Sequence, residues 1–291
     1  MFVKLLKYEW SAMIRKMLPV YAATLVIALI NGLLWGGAGQ GIEKLLPETI
    51  YTLLQVLMIF LYFAVLVGLC VVTFLFLVER FYKGLLKEEG YLMFTLPVRA
   101  WQLVLSKAIV AFLVSLLSVF IGVCSFTWLV MGAPGGLLAL PRAIFDLLHE
   151  GLVYSAGMEF QALLIILEFL LLIVASGFSA IYHFYFSMSL GQLSRSHRVL
   201  WSVVWYIVLY VVLSTAGWGL LMLLMWWISS LDSNTLLQLQ QMIDRIAATE
   251  AERGIVAAHI VLLSLLFMEL ICLMLEVLPT HWIMGHRLNL E

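Results

Sequence analysis

Long apolar runs separated by short mixed segments dominate this chain. They fall near Leu18–Trp35, Leu53–Val78, Leu103–Met131, Leu163–Met188, Val199–Ile228 and Ile255–Leu278. A helix crosses the ~30 Å hydrocarbon layer with about 20 apolar residues. Most of these runs exceed that, so tilt or extension past the layer is expected. No stretch alternates as a barrel strand would, and irregular backbone cannot face lipid. The pattern predicts an all-α integral membrane fold with six transmembrane helices.

Composition agrees with the pattern. Of 291 residues, 64% are hydrophobic and only 11% charged, against about 25% charged in soluble domains. Cys70, Cys124 and Cys272 all sit within apolar runs, without CxxC spacing. They read as small buried hydrophobes. The first apolar run starts only at about Leu18, after Glu9, and no small-residue cleavage pattern follows it. The first span is therefore expected to be retained as an anchor.

Three polar segments have character of their own. In Phe2–Leu18, the residues Phe2, Leu5, Leu6, Trp10, Met13 and Met17 recur at helical spacing among Lys4, Lys7, Arg15 and Lys16. That predicts an interfacial amphipathic helix leading into the first span. Ala133–Gly136 ends the third span, and Pro141 suits the first turn of a short helix over Leu140–Leu152. Leu231–Gly254 carries an apolar stripe of Leu236, Leu239, Ile243 and Ile246, which reads as an outer amphipathic helix before the last span. The expected division is an interfacial helix at 1–17 and a six-span domain at 18–291. Within that domain fall a cytoplasmic loop at 79–102 and outer segments at 132–162 and 229–254.

Lys and Arg set the expected orientation. With the N-terminus inside, the inner segments hold Lys4, Lys7, Arg15, Lys16, Arg80, Lys83, Lys87, Arg99, Lys107, Arg195, Arg198 and Arg287. The outer segments hold Lys44, Arg142, Arg245 and Arg253. This asymmetry places both termini and the loop around Glu88–Val98 in the cytoplasm.

Enzyme signatures are largely missing. There is no GxxxxGK[ST], HExxH or GxSxG. Ser179 and His183 share a helix face, but Ala175, Ser176, Ser179 and Ala180 read first as a small-residue packing surface. An EExxxR protease motif at Glu88-Glu89 fails, because no arginine follows the pair at that spacing. No catalytic and no metal-ligating set is predicted. The Trp residues near span ends, Trp35, Trp128, Trp201, Trp226, Trp227 and Trp282, read as an interfacial belt. Glu168, Glu269 and Glu276 stand within apolar runs. A charge at membrane depth costs about 2.5–3.5 kcal/mol, so it faces protein or water. Glu168 and Glu269 are the candidates for a transport path or gate. Glu276 lies near the end of its span, where it could reach headgroups.

The segment RFYKGLLKEEGYLMFTLPVRAWQLVLSKAIVAFL, Arg80 to Leu113, resembles the permease subunits of ABC-2 type transporters. The likeness lies in Glu88, Glu89, Gly90, the apolar stretch Tyr91–Phe94, the element Thr95-Leu96-Pro97-Val98, and Ser106-Lys107 heading the third span. The N-terminal LLKYEW and the C-terminal HRLNLE look like those of the small Gram-positive permeases of this class, which lack a large external domain.

The resemblance implies a half-transporter in the bacterial cell membrane, exporting an amphipathic substrate such as a peptide, antibiotic or lipid-like molecule. Two permease chains would pair, as a homodimer or related heterodimer. Each would dock a cytosolic P-loop ATPase that holds the ATP and Mg; this chain would bind no cofactor itself. Glu88, Glu89, Gly90, Tyr91, Leu92, Met93, Phe94, Thr95, Leu96 and Pro97 would form the coupling helix that meets the ATPase. The residues suit that role. Acids favour a helix N-terminus, Tyr91–Phe94 supplies apolar anchors, and Pro97 ends the element. A channel or sensor scaffold without an ATPase, and an intramembrane hydrolase, are the alternatives.

Overall fold

The computed structural model describes residues 2–35, 41, 43–86, 99–131, 142, 145–146, 149–150, 159–194, 196–232, 234–235, 237–238, 241–242 and 249–286. Its helices are α1 (Phe2–Trp35), α2 (Glu48–Phe81), α3 (Ala100–Met131), α4 (Glu159–Gln192), α5 (Arg198–Ser229) and α6 (Glu250–His286). A single π-helical turn, Tyr82–Leu86, extends α2. All six helices are long and apolar enough to cross a membrane. The protein is thus an all-α multi-pass membrane protein, and each expected apolar run falls inside one helix. A helix of 34 residues such as α1 is about 51 Å long. That exceeds the ~30 Å of hydrocarbon.

Local chemistry places several helix ends. Thr249 and Glu252 form a reciprocal capping box. The Thr249 N–H donates to Glu252 Oε2 at 3.0 Å, and the Glu252 N–H donates to Thr249 Oγ1 at 3.2 Å. That cap starts α6 at Glu250, ahead of the apolar run expected from Ile255, so residues 250–254 belong to the spanning helix. The rest of the expected outer helices lies mostly outside the described residues. At the other end of the chain, Phe2–Leu18 is continuous with the first span, and Pro19 lies inside the joined helix. Proline removes one intrahelical hydrogen bond there.

The chain divides into two three-helix units, Met1–Glu150 and Gly151–Glu291. In the first, α1 and α3 run in the same direction and α2 runs against them. Their core is built on Met13, Met17 and Tyr21 of α1, Leu69 of α2, and Val110 and Val114 of α3. Leu6 and Trp10 pack against this core, so four of the six stripe residues read in Phe2–Leu18 pack on protein. Polar groups tie the same helices together at several depths. Tyr21 Oη, Thr73 Oγ1 and Ser118 Oγ form one three-helix knot at 2.8 and 3.0 Å. Tyr62 bonds Ser125 at 3.0 Å, Asn31 donates to the Met58 carbonyl at 3.0 Å, and Tyr51 donates to the Leu34 carbonyl at 2.7 Å. Such pairings add to close packing where lipid offers no hydrophobic drive between helices.

In the second unit α4 packs along both α5 and α6. The α4–α5 connection is tight: a Cβ on Gly191 would lie 2.7 Å from the Ser202 amide nitrogen and 2.8 Å from the Arg198 carbonyl oxygen. Only glycine allows that approach. His197 closes the turn with φ 52°, a left-handed conformation uncommon outside glycine.

Of the six Trp residues read as a belt, Trp35, Trp201, Trp226, Trp227 and Trp282 are exposed. Trp128 instead packs on α1, where Gly32 leaves room for its indole.

Candidate functional site

The first unit holds a buried charge cluster on Glu9. This residue lies on the face of α1 shared with Leu5, Leu6, Met13 and Met17 and is only 1% exposed. Its Oε2 accepts from Arg80 Nε and its Oε1 from Lys107 Nζ, each at 2.7 Å. Arg80 comes from the end of α2 and Lys107 from the first turns of α3. Lys107 is 3% exposed. A lysine is almost never that buried unless paired. One carboxylate on α1 thus joins the two helices that flank residues 87–98.

The local backbone is shaped to this cluster. Gly84, in the π-helical turn, faces the lysine: a Cβ there would lie 2.6 Å from Lys107 Nζ. The wider turn and the missing side chain let the ammonium lie against the backbone. Single π turns of this kind recur at functional sites. Ser106, next in sequence, is fully buried and donates to the Leu103 carbonyl at 2.8 Å. Outside the cluster, Glu79 accepts from Lys83 at 2.6 Å and faces Lys16 at 3.8 Å.

The residues expected to dock an ATPase, Glu88, Glu89, Gly90, Tyr91, Leu92, Met93, Phe94, Thr95, Leu96 and Pro97, lie outside the described residues. The structure describes the two stems that carry them.

The second unit holds two Glu–His pairs along the seam of α4 and α6. His183 Nδ1 meets Glu276 Oε1 at 2.7 Å, and Ser179 Oγ donates to Glu276 Oε2 at 3.4 Å. His183 Nε2 lies 3.3 Å from the Tyr206 carbonyl of α5. A carbonyl only accepts, so Nε2 carries a proton. Nδ1 and the carboxyl group then share one more, giving either a neutral pair or an ion pair; the net charge is zero in both. The second pair is His259 Nδ1 to Glu168 Oε1, at 2.8 Å. Glu168 Oε2 is buried without a hydrogen-bond partner among the described residues. The pairs stand about 22 Å apart along α4, at 1.5 Å per residue, near opposite ends of the apolar run.

Glu168 is thus placed in a helix–helix contact. Glu269 is half-buried and makes no hydrogen bond or ion pair among the described residues. Glu276, at 2% exposure, is enclosed by protein instead of reaching outward. Ser179 and His183 share a face as expected. Both turn to Glu276, however, and His183 Nε2 is occupied by a carbonyl, so the histidine does not activate the serine hydroxyl in this arrangement.

No family model, curated protein or solved structure matches this chain.

Sequence reading missed Glu9 as a hub. The signal was present: a lone carboxylate, one turn before Met13 on an apolar stripe, must meet a cation if that stripe packs on protein. It also missed Glu276 as the partner of the Ser179–His183 face.

Proposed function

We propose that this chain is the membrane-spanning permease subunit of an ATP-driven transporter of the ABC-2 type. In this reading both termini are cytoplasmic in a bacterial cell membrane. Two such chains pair, and each docks a separate P-loop ATPase through residues 88–97. An amphipathic substrate is exported. The chain has no phosphate-cradling motif of its own, so the motor is a separate protein.

The observation that carries this reading is the double contact of Glu9 with Arg80 and Lys107. It ties the N-terminal helix to both stems of the segment that bears the family likeness. A push on residues 88–97 would then move α1, α2 and α3 together, as rigid-body switching requires. Glu9 and Lys107 themselves belong to the LLKYEW and SK elements of that likeness.

The test is capture of the partner. Tagged full-length chain, extracted from its own membrane, should retain a P-loop ATPase, and Met93→Asp with Phe94→Asp should abolish the retention. An intact chain that captures no ATPase, or a double variant that captures it equally well, overturns the proposal.

A further inference from the structure

We infer that Glu269 binds the ammonium group of a lipophilic cation, an organic amine carried on an apolar body. Three carboxyl groups stand within the apolar runs of the second unit, at Glu168, Glu269 and Glu276. Two of them are held by histidines, Glu168 by His259 and Glu276 by His183. Glu269 makes no hydrogen bond or ion pair among the described residues, and it is only half-buried, so a ligand can reach it. The chain brings no cation to this depth: no Lys or Arg occurs in Leu163–Met188, Val199–Ile228 or Ile255–Leu278. The facing side of α4 is apolar as well. The contacts Glu168–His259, His183–Glu276, Ser179–Glu276 and Tyr182–His281 join positions 91, 93, 97 and 99 apart. Glu269 is therefore level with residues 170–178 of α4. There the seam positions, one turn after Glu168 and one turn before Ser179, are Leu172 and Ala175. A charge within the membrane is expensive unless a counter-charge or water meets it. For Glu269 the counter-charge has to come from outside the unit.

Depth selects the chemistry of that cation. Fourteen residues of the run Ile255–Leu278 precede Glu269 and nine follow it. At 1.5 Å per residue the nearer end of the run is about 13 Å away. An inorganic cation would have to shed its water to arrive there, and lipid headgroups stay outside the hydrocarbon. An amine on an apolar body is carried in by the burial of that body. Its N–H groups then make charge-assisted hydrogen bonds to the carboxylate. Leu265, one turn before Glu269, and Ile173 on α4 are exposed at this level, so the body has apolar side chains to lie against. As a statement about the exported substrate, this rests on the permease reading and narrows amphipathic to cationic. The binding itself is measured on this chain alone, so it stands or falls apart from capture of an ATPase.

Equilibrium binding of decylammonium to the full-length chain in phosphatidylcholine nanodiscs tests it, with empty nanodiscs as the blank. The wild-type chain should bind decylammonium saturably and decanol no more than the blank does. Glu269→Gln keeps the side chain's size and should weaken decylammonium binding about ten-fold or more, the worth of a charged hydrogen bond. Glu48→Gln, the same charge change in the first unit, should leave it unchanged. Sodium at the concentration of the amine should not displace it. A photoreactive decylammonium should label α4 or α6 near Ile173 and Leu265 in the wild-type chain, which locates the site without any substitution. Equal binding of decanol, an unchanged affinity in Glu269→Gln or an equal loss in Glu48→Gln would overturn the inference. So would labelling confined to the first unit, and displacement by sodium would reassign Glu269 to an inorganic cation.

Discussion

Lys107 Nζ lies 2.7 Å from Glu9 Oε1, although 98 positions separate the two residues in sequence. Neither group could stay charged at such low exposure alone. Isolated buried charge costs several kcal/mol, and breaking a buried pair by removing one partner costs about 3–5 kcal/mol. Glu9→Gln should therefore destabilise the chain by roughly 3 kcal/mol or more, read as a lowered unfolding midpoint in detergent. Glu9→Asp should fall between the two, since the charge remains but the reach shortens.

Gly84→Ala acts on the same contact from the other side. Its methyl group would meet Lys107 Nζ at 2.6 Å and Cε at 3.3 Å. The lysine is flexible at that end, so it should swing away from Glu9. The expected cost is about 1–3 kcal/mol, as for overpacking. The double variant with Glu9→Gln should be less destabilised than the sum of the two single changes. Strict additivity in the same unfolding assay would mean that Gly84 serves something other than this pair.

Glu276 gives a graded test in the second unit. Glutamine can donate to His183 Nδ1 while Nε2 keeps its bond to the Tyr206 carbonyl, so Glu276→Gln should cost less than about 1 kcal/mol. Glu276→Ala strips His183 and Ser179 of their acceptor and leaves a void; about 2–5 kcal/mol is expected. The order of thermal midpoints, wild type, Gln, then Ala, checks this. A glutamine variant as unstable as alanine would show that the negative charge itself is required.

Gly191→Ala should disturb the α4–α5 hairpin. The clash is with backbone atoms of Arg198 and Ser202, which cannot rotate away. Destabilisation of about 1–3 kcal/mol should come with faster hydrogen exchange across 191–202. Gly219, whose added Cβ would meet open space, is the matched control, with a change to alanine expected to be neutral or mildly stabilising.

Much of the fold was legible because its main signal is local. A run such as Val199–Ile228 must be a helix in lipid, since no water is present to satisfy its backbone. The candidate sites were less legible because each is a pairing across helices. The Ser179–His183 face was visible from four-residue spacing, yet its partner Glu276 is 93 positions from His183. Glu269 and Glu276 share similar sequence surroundings, and packing alone separates the half-buried one from the enclosed one.

The sequence by itself determined the membrane-spanning helices and the apolar stripe on the N-terminal segment, because hydrophobicity and helical period belong to neighbouring residues. Tertiary structure alone decided that Phe2–Leu18 joins the first span without a break and packs part of its stripe on protein. It also decided that Glu9 takes both Arg80 and Lys107, and that Glu276 turns inward. Those outcomes depend on which helix faces meet. A buried charge then accepts whatever counter-charge that meeting brings within reach.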